Sequence, residues 1–206
     1  MLQGFDVMKV FIDLFSGLGG AARAFDESPD WCTLKIDNNP ELIDHNRGLI
    51  ILDISRVDEV VRIIRAYLEH LAPTKLVIWA SPPCQQFSYA NAHRSPDDFD
   101  MTLLDAAHDI IKTLAPDYWV IENVRGARDV FSEELNRPPT QEIGSLVLWG
   151  HFPLIPIAER DAYAHKKMSA KGSRTLRPNY RALVPYQVSR GLRDSIDHQR
   201  SLTSFF

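Results

Sequence analysis

The stretch "KVFIDLFSGLGG", residues 9–20, decides how this chain is read. A short run of bulky apolar residues ends abruptly in a glycine cluster. Such a run reads as a strand buried on both faces, and the glycines as a sharp turn at its end. Working outward, the same kind of run recurs at 33–37 ("TLKID"), 49–54 ("LIILDI"), 75–80 ("KLVIWA"), 118–123 ("YWVIEN") and 145–150 ("SLVLWG"). Helical spacing fills the gaps. Val57, Val60, Val61, Ile64, Leu68 and Leu71 share one face up to Pro73, and Leu103, Leu104, Ala107, Ile110, Ile111 and Leu114 share another up to Pro116. Ser55 to Asp58 has the form of a capping box for the first of these helices. Strands alternating with helices predict an α/β fold, a doubly wound and mostly parallel sheet.

Bulk properties agree with one domain of ordinary size. The chain has 206 residues, 45% of them hydrophobic and 24% charged. No apolar run approaches the ~20 residues of a membrane span. The first residues lack a charged start and a small-residue cleavage site, so no signal peptide is expected and a reducing cytoplasm is the expected compartment. The two cysteines, far apart, form no disulfide framework, and no metal site is expected. Charge is uneven. Residues 151–181 carry seven basic side chains and two acidic ones, a segment of +5 on a body of −9. That island reads either as a polyanion contact or as a solvated loop.

In a doubly wound sheet, ligands bind at the carboxyl ends of the strands. The unusual residues fall there. Gly17, Gly19 and Gly20 follow strand one without the spacing of a dinucleotide fingerprint. Asp37 ends strand two about twenty residues later, where it either accepts ribose hydroxyls or caps the segment that follows. Asp53 at the end of strand three either takes a base amino group or simply ends the strand. Together the three suit an adenosine-containing cofactor.

Strand four runs into "SPPCQQFS", residues 81–88, and strand five ends in Glu122-Asn123-Val124. A free cysteine is most often a small buried hydrophobe. Cys84, however, follows two prolines that stiffen the backbone and has Gln85, Gln86 and Ser88 as neighbours. This loop reads as a rigid mount for a reactive thiol. A carboxyl at the end of an apolar strand should have a raised pKa, which suits a proton donor. Cys32, within "DWCTLKI", reads as ordinary strand packing.

"FIDLFSGLGG", "SPPCQQFS" and "WVIENV", in this order and at these separations, resemble the cytosine C5 DNA methyltransferase family. The resemblance covers roughly residues 9–150. It implies a Rossmann-like S-adenosylmethionine-dependent methyltransferase fold. Phe15, Gly17, Gly19, Asp37, Asp53, Ile54 and Leu103 would bind S-adenosylmethionine, with Cys84 as nucleophile and Glu122 as the acid at the cytosine ring. Pro82, Ser88 and Asn123 are expected at the substrate. The partner implied is duplex DNA with a flipped cytosine.

The chain also departs from the family pattern. The Gln-x-Arg-x-Arg motif expected after strand five is missing, with Arg174 and Arg177 its only neighbourhood candidates. Only thirty residues lie where a target-recognition domain would stand. Three parts are therefore expected. Residues 1–150 form the catalytic and cofactor-binding domain. Residues 151–181 are a basic insert replacing the recognition domain, with Lys166, Lys167, Lys171, Arg174 and Arg177 holding DNA. Residues 182–206 form a C-terminal helix packing back on the catalytic domain, in which Val184-Pro185 matches the family but Arg181-Ala182 stand for its Gly-Asn. The chain is expected to be complete at both ends and similar to the very short members of phages, mobile elements and restriction–modification systems, with a further protein for target recognition as a possible partner. Alternatives are an RNA or free-nucleotide cytosine C5 methyltransferase, or a non-catalytic cofactor- or DNA-binding relative.

Overall fold

The computed structural model describes residues 8–92, 95, 99–157 and 176–199. Strand β1 (Lys9–Leu14) is the hub of a seven-stranded sheet. It is followed by β2 (Trp31–Asp37), β3 (Leu49–Ile51), β4 (Lys75–Ala80), β5 (Tyr118–Val124), β6 (Gln141–Ile143) and β7 (Leu146–His151), in the spatial order β3-β2-β1-β4-β5-β7-β6. The first five are parallel; β7 runs antiparallel to β5, and β6 antiparallel to β7. This is the doubly wound, mostly parallel α/β sheet that the alternation predicts.

Alternate residues of β1 serve two cores. Val10, Ile12 and Leu14 join Ile78, Ala80 and Ile121 on one face, beneath α2 (Val57–Leu71), α3 (Thr102–Leu114) and α4 (Arg128–Glu134). Phe11 joins Val77, Trp79 and Val120 on the other, against α1 (Arg23–Asp26) and α6 (Tyr186–Asp197). Having both faces covered is why the strands read as continuous apolar runs. Val188, Leu192 and Ile196 form the buried stripe of α6, as their spacing of four predicts. Helices α2 and α3 end alike: Ala72 and Ala115, each before a proline, turn to φ +45°. Proline disfavours helical backbone in the residue before it, which stops both helices.

Several boundaries differ from expectation. The capping box does not form: Arg56 is the N-cap of α2 without a side-chain bond, and Asp53 Oδ1 accepts from the Ser55 N–H instead. Strand β2 starts two residues early, at Trp31, and β3 stops at Ile51, leaving Asp53 and Ile54 in the loop beyond it. The three-residue β6 was not expected, being too short to show a period. Behind the glycine turn there is only the four-residue α1, so no long helix presents its N-terminus there. The tail begins with a separate short helix, α5 (Arg177–Arg181), and Pro185 divides it from α6. Lys166, Lys167, Lys171 and Arg174 lie outside the described residues. Among the described residues no helix is long and apolar enough to cross a membrane.

Candidate active site

The turn after β1 is held by side chains rather than by a helix. Phe15, Gly17 and Gly19 all have positive φ, at 64°, 54° and 76°. For Phe15 this left-handed backbone is strained, a state that survives only where the surroundings enforce it. Enforcement comes from several bonds. The Ser16 N–H donates to Ile36 O at 2.9 Å, and the Gly17 N–H donates to Asp37 Oδ2 at 2.8 Å. Asn46, almost fully buried, donates from Nδ2 to Ser16 Oγ and to Gly17 O, both at 3.1 Å. Ser16 Oγ in turn donates to Asp13 Oδ2 at 2.9 Å. Asp13 is only 1% exposed, and burial above all pushes its carboxyl up to about 7; the Ser16 hydroxyl opposes this and the Asp37 charge adds to it.

The adenosine candidates gather beside this turn. Asp37, half-buried, also accepts from the Asn39 N–H through Oδ1 at 2.9 Å. Asp37 therefore shapes the glycine turn and the start of the next segment, while each of its oxygens keeps capacity for a further donor. The Leu52 N–H donates to Asp37 O at 2.9 Å, which brings half-buried Asp53 alongside. The Ile54 side chain sits in the core at 2% exposure, so only its backbone can face a ligand. From the other side, the tail closes on the turn. A Cβ on Gly20 would lie 2.7 Å from Val184 O and 2.8 Å from Leu183 Cδ1, and one on Gly17 would lie 4.0 Å from Asn179 Nδ2. Ser189 of α6 stitches the same region, donating to Ala21 O at 2.5 Å and accepting from the Ala24 N–H at 3.0 Å. The turn thus sets positive-φ glycines beside two half-buried carboxylates, Asp37 and Asp53, with the Ser16, Gly17 and Gly19 N–H groups bonded within the protein.

The loop after β4 is as rigid as its prolines imply. Ser81 N–H donates to Leu14 O at 3.2 Å, and Ser81 Oγ accepts from Trp79 Nε1 at 2.8 Å. The loop then makes one turn in which the N–H groups of Phe87 and Ser88 both donate to Cys84 O at 3.1 Å. Gln86 grips Asp100 twice, Nε2 to its carbonyl at 2.7 Å and its N–H to Oε1 at 2.9 Å. Phe87 is wedged edge-on between Phe99 and Phe131, with ring centroids 4.9 and 5.0 Å away. Leu103 lies at the start of α3, where it lines a cavity of about 270 Å³ with Pro82, Pro83, Gln86 and Phe131. None of Phe15, Asp37 or Asp53 lines that cavity. A larger one, about 430 Å³, runs along α2 to Thr113 and holds none of the expected site residues.

Cys84, on the loop that leaves β4, and Glu122, on the neighbouring strand β5, lie near enough for the Glu122 charge to act on the thiol. Glu122 is 7% exposed, and burial pushes its carboxyl up to about 7 against the opposing hydrogen bond from the Ser81 hydroxyl. Half-buried Cys84 has its thiol pushed up, first by burial and then by the Glu122 charge, so the two side chains feel each other. Asn123, expected at the substrate, is occupied elsewhere: it is 1% exposed, donates from Nδ2 to Pro82 O at 2.9 Å and accepts from the Val124 N–H at 2.9 Å. Pro82 is buried beneath the loop, while Ser88 is half-buried and accepts from the Ala90 N–H at 3.3 Å. Arg177 is exposed on the first turn of α5. Asn46, Gln86 and Ser81 escaped the sequence reading because each acts on a partner distant in sequence or on backbone.

The fold is a Rossmann-like α/β sheet, with a thiol on the loop after β4 and a carboxylic acid near the end of β5. The family model for C-5 cytosine-specific DNA methylases matches residues 9–137, and the chain belongs to that family. Among solved structures it is similar to a DNA modification methyltransferase encoded within an E. coli prophage, with 23% identity and a TM-score of 0.46 over 62% of this chain and 36% of that one. It is also similar to the Entamoeba histolytica methyltransferase EhMeth, with 18% identity and a TM-score of 0.48 over 73% of this chain and 55% of that one. The chain thus spans 36% and 55% of these two proteins. No curated protein matches it significantly.

Proposed function

We propose that this chain transfers a methyl group from S-adenosylmethionine to C5 of cytosine in DNA, through a covalent bond between Cys84 and C6. The observation that carries this reading is the pair itself: a thiol on a braced loop and a buried, proton-retaining carboxyl on the neighbouring strand. Asp37, Asp53 and the turn of Phe15, Gly17 and Gly19 would hold the cofactor, with Leu103 at its margin. S-adenosylmethionine, when bound, supplies an electrophilic methyl group on sulfur.

Cytosine C5 is a poor nucleophile until the 5,6 double bond is polarised. Cys84 sulfur adds to C6, and the electron pair released makes C5 enamine-like. Glu122, retaining its proton to about pH 7, donates to N3 and stabilises the charge that this addition creates. While Glu122 keeps its proton no carboxylate charge opposes the thiolate, so a protonated acid and an ionised thiol favour one another. After C5 is methylated, loss of its proton returns the electron pair and expels Cys84. A base in a duplex reaches such a site only by leaving the stack. We place the DNA contact on the basic segment 151–181, in which Lys166, Lys167, Lys171, Arg174 and Arg177 hold phosphates in place of a recognition domain.

The test is covalent trapping. DNA carrying 5-fluorocytosine, which cannot lose fluorine as it would a proton, should form a denaturation-resistant adduct in the presence of cofactor, and Cys84→Ala should form none. Adducts formed equally well by Cys84→Ala would remove the nucleophile from this reading. Offering matched RNA and free nucleotide in the same assay checks the substrate class.

A further inference from the structure

Gly126 follows β5 in a single 3-10 turn, Arg125–Ala127, and its φ is not positive, so backbone conformation does not call for glycine there. Space does. A Cβ at this position would lie 1.9 Å from Phe87 O and 3.1 Å from Phe87 C, far inside any real contact. Phe87 belongs to the turn that carries Cys84, because its N–H donates to Cys84 O. We propose that Gly126 is a positioning residue: its missing side chain lets the turn behind Glu122 close against the Phe87 carbonyl, and this contact sets where Cys84 stands relative to Glu122. The inference rests on the proposed reaction only for its catalytic consequence.

Neither partner in the contact can simply step aside. The Phe87 ring is 2% exposed and wedged between Phe99 and Phe131. Behind Gly126, Ala127 and Phe131 are fully buried. A second tie lies on the other side of the nucleophile, where Asn123 Nδ2 donates to Pro82 O at 2.9 Å. Cys84 is thus bracketed. The acid's strand is bonded to its loop before the cysteine at Pro82, and the turn that follows the strand packs close against the loop after the cysteine at Phe87. A methyl group at 126 must push the Phe87 carbonyl away and rotate the turn holding Cys84, while the first tie keeps the rest of the loop in place.

The test uses the full chain with Cys32→Ser, so that Cys84 is the remaining thiol. Alkylation by iodoacetamide is followed against pH for four proteins: this parent, Glu122→Gln, Gly126→Ala and the double variant. In the parent, Glu122→Gln should speed alkylation at pH 8, because the carboxylate facing the thiol is gone. In the Gly126→Ala background, the same change should have at most a third of that effect. Trapping on 5-fluorocytosine DNA should slow by on the order of 100-fold in Gly126→Ala, the scale expected for a reactive group displaced by about 1 Å. An equal Glu122→Gln effect in both backgrounds, or trapping at the parent rate, overturns the proposal. If Gly126→Ala is unfolded, the readouts are repeated after refolding in trimethylamine N-oxide, and the same two results count against it. A parent that alkylates as expected but never traps DNA would fault the proposed reaction and leave the positioning role standing.

Discussion

Glu122→Gln should cost the protein its chemistry and make it more stable above neutral pH. The buried carboxyl has its pKa raised from an ordinary 4.5 to about 7. The folded state therefore holds this proton in a range where the unfolded chain has released it. Its contribution to stability is intact below 4.5 and is lost as pH rises through about 7. At about 1.4 kcal/mol per pH unit, the loss between pH 4.5 and pH 8 comes to ~3 kcal/mol. Glutamine is nearly the same shape, stays neutral and can still meet the Ser81 hydroxyl, so it removes this loss. The assay is urea unfolding of wild type and variant across that range. With a slope of about 2 kcal/mol/M, the wild-type midpoint should fall relative to the variant by about 1.5 M between pH 4.5 and pH 8. Trapping on 5-fluorocytosine DNA should meanwhile drop sharply. Parallel stability curves would refute the reasoning, because they would mean that Glu122 ionises in the folded state as it does in water.

Asp13→Asn should flatten the same pH profile independently: its carboxyl is raised from 3.8 to about 7, so on the order of 4 kcal/mol of alkaline-side cost disappears, read again by urea midpoints. Asp37→Ala removes the acceptor of the Gly17 and Asn39 N–H groups together with the proposed ribose acceptor, and calorimetry should find S-adenosylhomocysteine binding weakened by about 1–3 kcal/mol. Replacing Lys166, Lys167, Lys171 and Arg174 with alanine should weaken binding to all DNA sequences alike and flatten the salt dependence, whose log–log slope is about −0.9 for each phosphate contact; an unaltered slope would place the DNA contact elsewhere.

The sequence by itself determined six of the seven strands of the sheet. Apolar runs such as "KLVIWA" and "YWVIEN" are legible because a strand covered on both faces must be apolar throughout, a local requirement that periodicity expresses. It also singled out the strand tips as candidate sites, since glycines, paired prolines and a carboxyl ending an apolar run are out of place unless the backbone or a ligand needs them. The closing helix was legible in Val188, Leu192 and Ile196. Tertiary structure alone decided how these parts grip one another. Asn123 reads as a substrate ligand in one dimension; its tie to Pro82 appears only in three, because the pairing of β5 beside β4 brings a carbonyl from forty-one residues away to its amide. Asn46 looks like loop filler until the crossover from β2 to β3 sets it against the glycine turn. Gly126 carries no local signal, because its need is for space, and that space is claimed by the carbonyl of a different loop. Patterns in a sequence record what each segment demands of its own backbone and its own burial; a contact between two loops is a property of their relative placement, which no single segment encodes.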